Sequence, residues 1–169
     1  MPSESAKSPV TMIFAGLGAI VGFYCGMMLL IPVAASFAIG AIAKKIVGPT
    51  LRHFVIALSV IAGHMVWMLV GLLANPAAAA IILPDVVLMI IGLLWLCAKP
   101  GNAAAWFLII VETLSALINI FALFPQPFGS SEHKAIVAHL VLRIFAIFAL
   151  WAGLRAFKKP LPVPPPLPA

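Results

Sequence analysis

The stretch WFLIIVETLSALINIF, residues 106–121, is almost wholly apolar, yet it carries a carboxylate, Glu112, at its centre. A bilayer-spanning helix needs about 20 predominantly apolar residues. Residues 103–124 supply such a run around this stretch. Read this way, Glu112 lies near the middle of a hydrocarbon layer. A charge there costs about 2.5–3.5 kcal/mol on insertion scales and normally faces protein or water. The first question is therefore whether the rest of the chain is also built for lipid.

Composition answers it. Of 169 residues, 64% are hydrophobic and only 8% charged, and the mean hydropathy is +1.23. A soluble domain carries roughly 25% charged residues. Too few polar side chains remain to cover a water-facing surface, so the expectation is an integral membrane protein. The formal net charge of +6 sits in short clusters beside apolar runs, as topology signals do. Nothing interleaves aromatic and basic residues as a nucleic-acid surface would.

The apolar runs predict an all-α, polytopic membrane helix bundle of five transmembrane helices, over about residues 10–31, 51–74, 77–98, 103–124 and 135–157. Residues 1–9 form a polar N-terminal segment. No small-residue cleavage pattern closes the first run as a signal peptide would require. Pro32 is the natural division of that run, which leaves residues 33–43 as a kinked continuation or a segment lying at the interface. Asn75 is expected to cap the third span, with Pro76 in its first turn. Residues 158–169, rich in proline, form a cytoplasmic tail in extended polyproline II. Its KxLPxxP spacing is one that SH3-type domains read, within a compositionally biased run.

Basic residues choose the orientation. Lys44, Lys45 and Arg52 flank the first connection, Lys99 the third, and Arg155, Lys158 and Lys159 the C-terminal end. Under a five-span count all of these fall on one side. The positive-inside rule then puts the N-terminus outside and the C-terminus in the cytoplasm, in what is expected to be a bacterial inner membrane. Trp95, Trp106 and Trp151 lie near the cytoplasmic ends of their spans, as an aromatic belt requires. The short second and third connections make spans two, three and four successive antiparallel neighbours.

Gly18, Gly22 and Gly26 form a GxxxGxxxG face in the first span. Such a face suits close helix packing, within one chain, in a homo-oligomer or against a larger membrane complex. The ionisable residues within the spans are Asp85, Glu112 and Arg143, with His64 and His139. Counted from the outer ends, Asp85, Glu112, Arg143 and His64 reach similar depths. Glu112, Ser115 and Asn119 follow helical spacing and make one polar stripe. The expected arrangement is a buried cluster of Arg143 with Glu112, Asp85 or both. Two carboxylates sharing one arginine leave a surplus negative charge that a proton would neutralise. The alternative is an ion pair that only orients helices.

No cofactor is expected. A b-type haem is disfavoured, because His64 and His139 differ by about six residues in depth, roughly 9 Å of helix rise. His133 reads as a solvated loop residue. Cys25 and Cys97 lie within apolar runs, with neither metal-ligand nor disulfide spacing, and no metal site is expected. No HExxH, GxSxG or phosphate-loop motif occurs, so the reading leans away from an enzyme. Two functions remain. One is a small ion- or proton-coupled solute transporter or channel using Glu112, Arg143 and Asp85. The other is a non-catalytic accessory or assembly subunit of a larger membrane complex.

Overall fold

In a computed structural model, residue 20 and residues 22–158 are described, and no strand occurs among them. Among the described residues the fold is carried by α1 (Leu30–Ile46), α2 (Val55–Ala74), α3 (Ala79–Ala98), α4 (Asn102–Leu123) and α5 (Ser131–Phe157). Short 3-10 turns lead into three of them, at Gly26–Leu29, Leu51–Phe54 and Pro76–Ala78. Counted with their lead-in turns, Leu51–Ala74, Pro76–Ala98, Asn102–Leu123 and Ser131–Phe157 are long and apolar enough to cross a membrane. The polar segment 1–9, half of the expected first span and Gly18 lie outside the described residues. So does the proline-rich tail beyond Lys158.

The start of α1 differs from the expectation of a division at Pro32. The break falls at Gly26, whose φ of +56° is a left-handed conformation that glycine adopts without steric cost. Pro32 instead sits in the first turn of α1, where helical N–H groups have no partner in any case. Residues 33–43 form the body of a helix that packs along α2. The two approach closely at Gly63. A Cβ there would lie 2.6 Å from the Pro32 carbonyl oxygen and 2.1 Å from Ser36 Oγ.

Two further local expectations are corrected. Asn75 makes no side-chain capping bond; Pro76 opens the following turn without it. Helix α5 begins at Ser131, a turn before the expected position 135. Ser130 makes that start possible, because its hydroxyl accepts a hydrogen bond from the backbone N–H of His133 at 3.1 Å. This satisfies one of the free donors at the helix N-terminus, and Glu132 in the first turn complements the helix dipole.

Helix α2 packs on α5, α5 on α4, α4 on α3, and α3 more lightly on α2, which closes a four-helix ring. Helix α1 lies outside the ring, on α2. Consecutive helices run antiparallel, so Lys44, Lys45, Arg52, Lys99, Arg155 and Lys158 gather at one end. At this basic end Phe54 packs on Phe157, with ring centroids 6.0 Å apart. Phe54, Ile61, Leu96, Leu108, Leu150 and Leu154 fill the ring interior there, all buried. Outward-facing side chains such as Leu73, Ile81, Ile118 and Phe121 are exposed and apolar, as lipid-facing positions are.

Candidate functional site: a buried charged cluster

Beyond the apolar filling, toward the end away from the basic residues, the ring interior becomes polar. Each of its four helices contributes. Helix α5 supplies Arg143, which is 2% exposed, and α4 supplies Glu112, fully buried. Arg143 Nη1 donates to Glu112 Oε2 at 2.9 Å. Its Nη2 donates to Asp85 Oδ2 on α3. Ser115 Oγ, one helical turn along α4 from Glu112, donates to Asp85 Oδ1 at 2.7 Å. One guanidinium thus bridges two carboxylates carried by two different helices. Its planar fork suits that task in a way an ammonium would not. Pro84 precedes Asp85 inside α3 and removes one backbone N–H from that helix.

The two carboxylates are not equivalent. Both oxygens of Asp85 are hydrogen-bonded, and its side chain is 16% exposed. Glu112 bonds through Oε2 alone; among the described residues Oε1 is buried without a partner. Arg143 Nε, Asn119 Nδ2 and His64 Nδ1 are likewise buried and unpartnered among the described residues. A buried polar atom normally finds a partner, and leaving one unsatisfied costs about 1–3 kcal/mol. With both carboxylates ionised, the set carries one surplus negative charge inside an apolar bundle. A proton on Glu112 would balance the charge and turn an acceptor-only group into one that can also donate.

The α2 contribution is His64. Its Nε2 lies 2.6 Å from Nδ1 of His139 on α5, so one ring donates to the other. The indole of Trp67 stacks on His139, with centroids 4.2 Å apart and planes 23° apart. The expected offset in depth between the two histidines is therefore wrong. Helix α5 starts at Ser131, so His139 is about eight residues deep against about ten for His64, roughly 3 Å of rise. The rings meet directly, with no gap between the two nitrogens to seat a metal ion. Among the described residues no group of three or more His, Cys, Asp or Glu side chains converges to hold one.

Other expected positions fall outside the cluster. Asn119 lies on the stripe of Glu112 and Ser115 but makes no side-chain hydrogen bond within the described structure. At Gly22 and Gly26 an added Cβ would meet nothing within 4 Å, and the positive φ of Gly26 interrupts the helical face that their spacing suggested. Within the described chain a close helix approach occurs at Gly63, which sits beside His64. His133 is not a free loop residue. It lies in the first turn of α5, half-buried, with Nδ1 2.8 Å from Tyr24 Oη.

The arrangement holds a buried carboxyl against a counter-charge that it shares with a second carboxylate. Comparison with known proteins finds no matching family model, no similar curated protein and no similar solved structure.

Proposed function

We propose that this protein is a small membrane transporter that moves protons, alone or coupled to an ion or small solute, with Glu112 as the proton-carrying group. The observation that carries this reading is Glu112 itself. It is fully buried and bonded through one oxygen to an arginine that also holds a second carboxylate. A brace between helices needs one carboxylate per arginine. The second one creates the charge imbalance that makes protonation a usable event. Asp85, the more exposed of the two, is the point of exchange with the polar end of the bundle. His64 and His139 extend the polar layer across α2 and α5.

In the bilayer, α1 to α5 are five crossings with the basic end in the cytoplasm. Helix α1 has 17 residues, roughly 25 Å, and its four-residue 3-10 lead-in adds about 8 Å. Together they match a hydrocarbon core of about 30 Å. The chain then enters α1 from outside, and the apolar filling at Phe54, Leu96 and Leu150 closes the cytoplasmic half. The membrane is a bacterial inner membrane in this reading.

The test is proton flux into liposomes holding the purified protein, read with an entrapped pH dye under an imposed potential. The wild type should carry protons faster than protein-free vesicles, and Glu112→Gln should lose most of that flux. A wild type no faster than empty vesicles, recovered in fixed ratio with other subunits, would replace this reading with the accessory-subunit one.

A further inference from the structure

A groove of about 860 Å³ runs between α1 and α5, floored by α2. It exists because α1 packs along α2 without packing along α5, so two helices resting on a common third leave a channel between them. Its walls are apolar: Val33, Phe37, Val60, Val141, Phe145 and Phe148 are among them. Its two hydroxyls are turned away from any guest. Ser36 Oγ donates to the Pro32 carbonyl and Ser59 Oγ to the Val55 carbonyl, both at 2.6 Å. The groove extends from Leu29 to Lys44, about 22 Å along α1. Among the described residues, Lys44 is the only ionisable side chain that lines it. It stands at the basic end, with exposed Lys45 and Arg52 on the same connection.

We infer that this groove binds the acyl chain of an anionic phospholipid, whose phosphate sits against Lys44. The long apolar floor, whose two hydroxyls have already given their protons to backbone carbonyls, suits a hydrocarbon chain better than a polar ligand. The single cation at the mouth selects the sign of the headgroup. The volume falls within the range of ligand sites. Phe37, Phe145 and Phe148 are exposed along its open side, so a lipid enters sideways from the bilayer. The site is separate from the charged cluster: it lies outside the four-helix ring and shares none of its polar residues.

The experiment is native mass spectrometry of the protein released from vesicles of equimolar phosphatidylglycerol and phosphatidylethanolamine. The wild type should retain phosphatidylglycerol in preference. Lys44→Gln should reduce that preference by about fivefold, the effect of one lysine near an anionic headgroup. Ala41→Trp, which fills the groove, should remove the retained lipid. Lys44 is exposed, so its replacement leaves the fold intact and carries the test alone if Ala41→Trp fails to fold. Equal retention of the two lipids by the wild type, or unchanged phosphatidylglycerol on folded Ala41→Trp, overturns the inference. So does a dimer, free of lipid, that Ala41→Trp dissociates, since a second copy would then occupy the groove.

Discussion

Replacing Arg143 with methionine removes the guanidinium while keeping an unbranched side chain of similar length. Arg143 donates to Glu112 and Asp85 at once, so both carboxylates lose their counter-charge together. Each charge-assisted hydrogen bond contributes about 1.5–3 kcal/mol. Two of them together reach the range of about 3–5 kcal/mol typical of breaking a buried ion pair from one side. The triple variant Asp85→Asn, Glu112→Gln, Arg143→Met should recover most of the stability, since it leaves no charge to compensate. Equilibrium unfolding in mixed micelles, followed by tryptophan fluorescence and circular dichroism, measures all three proteins. An Arg143→Met protein within about 1 kcal/mol of wild type at neutral pH would refute the charge accounting. So would a triple variant as unstable as the single one.

Gly63→Ala should destabilise by about 1–3 kcal/mol, as overpacking does, because its Cβ meets Ser36 Oγ and the Pro32 carbonyl. Adding Ser36→Ala should restore only part of the loss in thermal unfolding, since the carbonyl remains at 2.6 Å. Ser115→Ala should cost about 1–3 kcal/mol by stranding Asp85 Oδ1. Asn119→Ala should cost less in the same unfolding assay, because its amide nitrogen has no partner to lose. Equal costs at the two positions would contradict the bonding pattern of the α4 stripe.

Glu112, Asp85 and Arg143 were legible as a group because a charge in an apolar run is expensive, and the cheapest relief is an opposite charge at the same depth. That reasoning needs only the spans and their direction. The histidine pair escaped it. His139 was counted from position 135, whereas the cap at Ser130 adds a turn to α5 and brings its ring to His64. Gly63 is not marked by a second glycine at four-residue spacing on its own helix. Its partner surface, Pro32 and Ser36, belongs to another helix. Pro32 looked like a break because proline disrupts helix interiors, and only the position of the helix start makes it harmless.

The sequence alone determined that the protein is built of apolar helices joined by short connections, with its basic residues gathered at one end. Those properties follow from composition and spacing along the chain, where each residue acts through its own transfer free energy. The tertiary structure decided which helices enclose the charges: α2 to α5 form the ring, and α1 stands outside it. It also decided that one arginine serves two carboxylates, that one oxygen of Glu112 has no partner among the described residues, and that a groove opens between α1 and α5. Those outcomes depend on helix starts, rotations and side-chain reach at the scale of a few ångströms. Hydropathy, averaged over a whole span, carries no information at that scale.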